Sequence, residues 1–167
     1  MSKGIFIGSF DPWHNGHEDR LKEALQIFEE VYIVVADNDG KKYWFDQSER
    51  TKLVEKSVKR FEKRVVVISA GNKMIQDICH DLQIFNVYRG VKAGRTLDEE
   101  IRLQVATKFM AKQEYNEEIL FVYGITSEED FRGSSIVKLL AKNGKDISLY
   151  VPVEIIGDIL EKAKECL

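Results

Sequence analysis

Residues 4–17 of this chain are GIFIGSFDPWHNGH, and this stretch determines the fold prediction. It opens with a short apolar run that stops at Gly8, a pattern typical of a buried strand. A polar loop follows, and from residue 18 to 28 apolar side chains recur at helical spacing, at Leu21, Ala24, Leu25 and Phe28. The order strand, loop, helix predicts the first unit of an α/β domain.

The same alternation continues to the end of the chain. Runs rich in Val and Ile predict four more strands, at residues 31–36, 65–69, 84–88 and 119–123. Between and after them, helices are predicted at residues 46–61, 72–82, from 96 onward, at 134–144 and at 153–166. Strands that are apolar on both faces and separated by helices indicate a parallel sheet covered on both sides. We therefore predict a single doubly wound, Rossmann-like α/β domain over residues 1–167, with a five-stranded parallel sheet and helices on both faces.

Two helix starts carry a capping-box pattern. Asp46 with Glu49 predicts one, and Thr96 with Glu99 predicts the other. The second helix would carry an apolar stripe, formed by Leu97, Ile101, Val105 and Phe109.

Composition excludes several classes of protein. The chain has 167 residues, 44% of them hydrophobic, which suits one domain with an ordinary core. Its two cysteines, Cys79 and Cys166, are isolated, which argues against a disulfide framework, a zinc site and an iron–sulfur site. No apolar run approaches the ~20 residues that span a bilayer. We expect a soluble cytoplasmic protein without a membrane partner.

Charge is nearly balanced along the chain. Lys and Arg number 25 and Asp and Glu number 28, for a formal net charge of −3. The two signs are interspersed, so no basic stripe is available to track a nucleic-acid backbone, and no nucleic-acid partner is expected. A few cations can still converge on a cleft and bind a small anion.

Glycines locate the expected site. Gly8, Gly90 and Gly124 each fall just after a predicted strand. Ligands of doubly wound sheets bind beyond the carboxyl ends of the strands, so we expect the site there.

The loop at residues 8–17 has the chemistry of an anion site. It contains a hydroxyl, an amide, two glycines and the imidazoles of His14 and His17, and it runs directly into a helix. A helix start presents unpaired N–H groups and a partial positive charge, which favour phosphate. The alternative is that the two histidines only cap the helix or face solvent. Zinc is not favoured, because His80, expected on the surface of the third helix, is the only other histidine.

The same loop resembles the GxFDPxxxGH signature of nucleotidyltransferases that carry a (H/T)xGH motif. Those enzymes join a nucleoside monophosphate unit to a phosphorylated acceptor and release pyrophosphate. Within that superfamily the chain is similar to the phosphopantetheine adenylyltransferase family along essentially its whole length. The similar segments are Lys41-Lys42 before Phe45, residues 48–50, residues 88–90, Ser134-Ser135 and residues 146–152.

The resemblance implies an enzyme that transfers the adenylyl group of ATP to 4′-phosphopantetheine. Ser9, Lys41 and Arg89 would bind the acceptor, with Lys42 a less certain substitute for Lys41. His17 would stabilise the α-phosphate. The implied catalytic residues are His17, Ser9 and Lys41. The implied nucleotide-binding set is Gly8, Ser9, Phe10, His14, Gly16, His17, Arg89, Gly90, Lys92, Glu100, Ser134 and Ser135. No protein metal ligands are implied, and we expect Mg²⁺ bound through substrate phosphates. The resemblance also implies a homo-oligomer, often a hexamer.

Departures from the family pattern leave the acceptor open. His14 stands where Thr is usual, a choice more typical of nicotinate or nicotinamide mononucleotide adenylyltransferases, and Lys92 stands where a second Arg is usual. Glu99 replaces an aromatic residue, and Gly133 interrupts a serine string. The alternatives are a related nucleotidyltransferase that acts on a mononucleotide, or on glycerol phosphate or ethanolamine phosphate with CTP, and a non-catalytic nucleotide-binding module.

Overall fold

The structure is a computed structural model that describes residues 2–38, 40–61, 63–92, 95–126 and 132–166. Five strands alternate with helices: β1 (Lys3–Gly8), α1 (Asn15–Ile27), β2 (Glu30–Val35), α2 (Gln47–Val58), β3 (Val65–Ser69), α3 (Ile75–Leu82), β4 (Asn86–Lys92), α4 (Arg95–Tyr115), β5 (Leu120–Thr126), α5 (Ser134–Lys142) and α6 (Ile156–Glu165). Short 3-10 turns at Lys59–Phe61 and Val153–Ile155 follow α2 and precede α6. Within the described ranges, no helix is both long and apolar enough to cross a membrane.

The five strands form one parallel sheet in the order β3-β2-β1-β4-β5. β1 is central, and Gly8 at its end pairs with Val35, which in turn pairs with Ser69. The carboxyl ends of β1, β2 and β3 therefore lie side by side at the same edge of the sheet. The predicted five-stranded parallel sheet is confirmed.

The core is divided by the sheet into two clusters. On one face Phe6 and Ile33 pack with Leu21, Leu53 and residues of the last two helices. On the other face Ile5 and Ile7 pack with Ile78 of α3 and Ala111 of α4. Because neighbouring strand residues point to opposite faces, α1, α2, α5 and α6 cover one side and α3 and α4 the other. The prediction of helices on both faces is confirmed.

Strands β4 and β5 extend further than predicted. They run to Lys92 and Thr126, so Gly90 and Gly124 lie within them and pair with each other. The prediction that these two glycines follow the strands is wrong, and packing supplies the reason. A Cβ at Gly90 would lie 2.9 Å from Cγ of Arg20, and a Cβ at Gly124 would overlap the hydroxyl of Tyr88. Both glycines thus accommodate side chains that lie across the sheet.

The Asp46 capping box is confirmed. The Asp46 carboxylate accepts from Glu49 N at 2.7 Å, and the Glu49 carboxylate accepts from Asp46 N at 2.8 Å. The Thr96 prediction is wrong, because α4 begins at Arg95 and Thr96 lies inside the helix. α1 begins at Asn15, three residues before the predicted start, because the imidazoles of the preceding loop cap it there.

The predicted apolar stripe of α4 faces solvent for most of its length. Ile101, Val105 and Phe109 are exposed, whereas Thr107 and Ala111 are the buried residues of this helix. Among the described side chains of α4, the small Thr107 and Ala111 are the buried ones, and the three large apolar residues of the stripe face solvent.

Replacing Gly124 and Gly157 by alanine should have opposite effects on stability. We expect Gly124→Ala to lower the free energy of unfolding by about 1–3 kcal/mol, since the new methyl group overlaps the rigid Tyr88 ring. Gly157→Ala in α6 meets nothing within 4 Å and should raise it by roughly 0.4–1 kcal/mol. Denaturant unfolding of both variants measures this, and equal effects would contradict the packing argument.

Candidate active site

A cavity of about 890 Å³ opens at the carboxyl edge of the sheet. Most of the predicted site residues line it: Gly8, Ser9, Phe10, His14, Gly16, His17, Lys41, Arg89, Gly90, Glu100 and Ser134. Ser135 is exposed and lies outside this lining, as does Lys42. The side chain of Lys92 lies outside the described part of the chain. The structure thus brings together residues from β1, α1, the β2–α2 loop, β4, α4 and α5.

His14 and His17 cap the first helix with their ring nitrogens. Nδ1 of His14 accepts from Gly16 N at 3.1 Å, and Nδ1 of His17 accepts from His14 N at 3.2 Å. A nitrogen that accepts from a backbone N–H carries no proton, so each neutral ring carries its proton on Nε2. The two rings therefore cap α1 and line the cavity at the same time.

Aromatic neighbours hold the His17 ring in place. It stacks on His14 at 3.6 Å between ring centroids and contacts Phe10 and Trp13 at 5.0 and 5.3 Å. Phe10 and Trp13 are buried in the core cluster below the loop. The Nε2–H group is consequently presented in one orientation.

Ser9 and Lys41 meet across the ends of β1 and β2. Lys41 Nζ donates to Ser9 Oγ at 3.3 Å, and both line the cavity. Lys41 is exposed, so its ammonium combines solvent access with a position beside the hydroxyl. Of the two adjacent lysines, Lys41 is the one directed to the site.

Arg89 is held by a bidentate pair with Glu100. Its Nε and Nη2 donate to the two carboxylate oxygens of Glu100 at 2.8 and 2.5 Å, and its Nη1 donates to Ile7 O at 2.9 Å. Burial first, and then the charge of Glu100, raise the pKa of the neighbouring Tyr123. The strand was predicted to end at residue 88, but β4 continues to Lys92, so Arg89 lies within the strand and lines the cavity from there.

The start of α5 forms another part of the wall. Its N-cap, Gly133, makes no side-chain cap, and both Gly133 and Ser134 line the cavity. The Ser134 hydroxyl donates to Pro12 O at 2.9 Å, which ties the helix to the first loop. The unpaired N–H groups of a helix start thus adjoin the cavity, as an anion site requires.

Arg50 connects the site loops, and the sequence did not assign it a role. The side chain is 1% exposed, and its guanidinium donates to the carbonyls of Ser9 at 2.7 Å, Ala36 at 3.0 Å and Phe45 at 3.1 Å and pairs with Asp37. It therefore joins the ends of β1 and β2 to the loop that follows β2.

Asp11 makes a second such connection. Its carboxylate accepts from Trp44 N and Phe45 N, both at 3.0 Å, and pairs with Lys138 of α5. The first loop, the β2–α2 loop and α5 are thereby held against one another. The residue was quoted in the sequence motif, but its contacts join segments far apart in the chain.

Cationic groups predominate around the cavity. Among the described lining residues the carboxylates are Asp37 and Glu100, and each is paired with an arginine. The cationic side chains are Arg20, Lys41, Lys73, Arg89 and Arg132, of which all but Lys41 form an ion pair with a carboxylate of the described residues. Such a site favours polyanionic ligands.

Comparison with known proteins assigns the family. A family model described as cytidylyltransferase-like matches residues 5–148. A phosphopantetheine adenylyltransferase of Nautilia profundicola is 30% identical over 159 residues, covering 95% of this chain and 99% of that protein. One of Thermotoga neapolitana is 33% identical over 162 residues, covering 96% of each. The chain belongs to the phosphopantetheine adenylyltransferase family. The predicted resemblance is confirmed.

A solved structure agrees at the level of the fold. A proposed nicotinate-nucleotide adenylyltransferase of Vibrio parahaemolyticus superposes with a TM-score of 0.67 at 20% identity, over 96% of this chain and 99% of that one. At this identity the likeness concerns architecture. It confirms the Rossmann-like arrangement predicted from the strand pattern.

Arg50→Lys should destabilise the protein strongly. A lysine ammonium cannot reach all four oxygen partners, so several buried acceptors lose their donor, and we expect a loss of about 3 kcal/mol in the free energy of unfolding. Arg60→Lys is the matched control, because the Arg60 side chain is half exposed and its partner Glu18, although buried, is also paired with Lys22, and the variant should stay within about 0.5 kcal/mol of the original. Equal losses in urea unfolding would contradict the connecting role of Arg50.

Proposed function

We propose that this chain transfers the adenylyl group of ATP to 4′-phosphopantetheine, giving dephospho-coenzyme A and pyrophosphate. One observation carries the proposal: the residues of the family motif converge on a single cationic cavity in a chain that matches phosphopantetheine adenylyltransferases along nearly its whole length. The activity is that of a nucleotidyltransferase.

The chemistry is an attack of the acceptor phosphate on the α-phosphorus of ATP, with pyrophosphate leaving in line. No protein nucleophile is required, so the protein acts by positioning two anions and stabilising charge in the transition state. The N–H groups at the start of α5 favour the triphosphate, whereas those at the start of α1 are already bonded to Tyr150 O and to His14, so α1 contributes its histidine rings instead. His17 Nε2–H then donates to the α-phosphate oxygens as negative charge develops on them.

The acceptor phosphate belongs between Ser9, Lys41 and Arg89. The Ser9 hydroxyl and the Lys41 ammonium, 3.3 Å apart, supply two donors. The Arg89 guanidinium is fixed in the same wall by Glu100, so its charge is oriented before the acceptor arrives. Preorganised donors of this kind need no rearrangement during the reaction.

Magnesium is part of the proposal as an ion carried by the phosphates. The two carboxylates among the described lining residues are engaged by arginines, and no group of three His, Cys, Asp or Glu that could hold a metal occurs in the described ranges. These residues suit an ion held mainly by phosphate oxygens and water, as Mg²⁺ prefers. When bound, it would neutralise charge on the leaving pyrophosphate.

A panel of acceptors tests the proposed reaction. With ATP, we expect pyrophosphate release with 4′-phosphopantetheine and at least about 100-fold lower kcat/KM with nicotinate mononucleotide, because an acceptor with other groups leaves polar site groups unpaired. Glycerol phosphate and ethanolamine phosphate with CTP complete the panel. If pyrophosphate is released faster with any of these acceptors than with 4′-phosphopantetheine, that compound replaces the proposed acceptor. Thermal stabilisation by ligands without turnover would indicate a non-catalytic binding module.

His17 variants test the catalytic step. In His17→Asn the amide oxygen can still accept from His14 N, but the group at the Nε2 position is lost, and kcat should fall about 100- to 1,000-fold. His17→Gln places an amide nitrogen near the Nε2 position and should retain more activity than His17→Asn. His80→Ala is the control, since His80 is partly exposed on α3, stacked on Tyr115 and outside the cavity lining. Equal kcat for the asparagine variant and the original protein would refute the role of Nε2.

We also propose a homo-oligomer, in keeping with the hexamer expected from the resemblance. The exposed stripe of Ile101, Val105 and Phe109 on α4, with Leu120 and Ile125 of the edge strand β5, supports this proposal. Light scattering of the purified protein measures the mass directly, and a monomer at micromolar concentration would refute it.

A further inference from the structure

The part of the cavity on the α3 and α4 side has a different character from the phosphate side. It is lined by Met74, Gln76, Leu103 and Thr107, on the face of the sheet opposite to α1 and α5. Leu103 and Thr107 are one helical turn apart on α4 and face the start of α3. This region offers apolar contacts and two uncharged polar side chains to whatever extends from the acceptor phosphate.

Gln76 is the unusual residue of this region. It is 2% exposed, and its Nε2 contacts the sulfur atoms of Met74 and Met110 at 3.6 and 3.7 Å and the Glu114 carboxylate at 3.5 Å. Its Oε1 is buried without a hydrogen-bond partner among the described residues. The reversed amide would place that oxygen against the Glu114 carboxylate, so the orientation is fixed by charge.

A buried acceptor without a donor is costly, and native proteins retain few of them. Gln76 belongs to a cavity wall, so a ligand can supply the missing donor. The sulfur of Met74 lies 3.6 Å from the amide nitrogen of Gln76, and Met74 is 52% exposed. An unbranched thioether side chain rotates readily, which gives a ligand access to the amide.

We propose that Gln76 determines acceptor specificity, its Oε1 accepting a hydrogen bond from an amide N–H in the arm of the acceptor. This inference rests on the proposed function, because it concerns the same cavity and the same acceptor. Because Oε1 is buried, the donor must reach it on the end of a flexible arm, and an uncharged N–H does so without the hydration that a cation would lose at this depth. An acceptor without such an N–H leaves Oε1 unpaired and is selected against.

Paired substrates test the assignment. Two analogues of 4′-phosphopantetheine are compared with the natural compound, each with one amide N–H replaced by an ester oxygen. For the original protein we expect one ester to lower kcat/KM about tenfold, because an oxygen then faces Oε1. In Gln76→Met and Gln76→Leu, which lack the acceptor atom, the same ester and amide should differ by less than twofold, while the KM for ATP is unchanged.

Met110→Leu is the matched control. Met110 also contacts the Gln76 amide but does not line the cavity, so this variant should keep the tenfold preference. Thermal unfolding establishes that each variant is folded, and if both Gln76 variants fail to fold, the comparison of esters in the original protein decides. The assignment is overturned if the original protein treats both esters like the amide, or if the Gln76 variants keep the preference. If the original protein does not use 4′-phosphopantetheine at all, the proposed function itself fails, and the assignment with it.

Discussion

The site depends on the hydrogen bond from His14 N to His17 Nδ1, 3.2 Å long, at the start of α1. This contact starts the helix immediately after the loop that leaves β1, and it fixes which ring nitrogen carries the proton. Without it the imidazole can rotate, and either nitrogen can carry the hydrogen. One nitrogen of the His17 ring thus caps the helix and the other is the proposed donor, so the cap determines which nitrogen can donate to a ligand.

The loops around that ring are joined by buried charged groups in addition to the apolar contacts of Phe10, Trp13 and Phe45. Arg50 connects the strand ends to the β2–α2 loop, and Asp11 connects that loop to the first loop and α5. Carbonyl oxygens and amide hydrogens at strand ends have no sheet partners, and burying them unpaired would be costly. One guanidinium and one carboxylate satisfy several of these groups at once and fix the Ser9 to Lys41 separation as a consequence.

The sequence predicted the features that depend on local pattern. The third strand was predicted with the observed bounds, Val65–Ser69, and six residues of the motif loop line the cavity. Errors arose where distant segments decide the structure. Because glycine usually interrupts a strand, the pattern predicts that Gly90 and Gly124 follow their strands. In the structure Arg20 and Tyr88 occupy the space that a side chain at either position would fill. Polar residues of amphipathic helices are usually solvated, and no periodicity distinguishes Arg50 or Gln76 from such residues.

The two faces of the sheet give the cavity two different walls. On one face lie the His14 and His17 rings that cap α1 and the N–H groups at the start of α5, and groups of this kind favour a phosphate whatever is attached to it. On the other face α3 and α4 contribute apolar side chains and the amide of Gln76, which respond to the shape and polarity of an arm. Ser9, Lys41 and Arg89 lie where these walls meet, at the ends of the central strands. A change of acceptor would therefore require substitutions on α3 and α4, whereas the phosphate side would tolerate few changes because every ligand uses it.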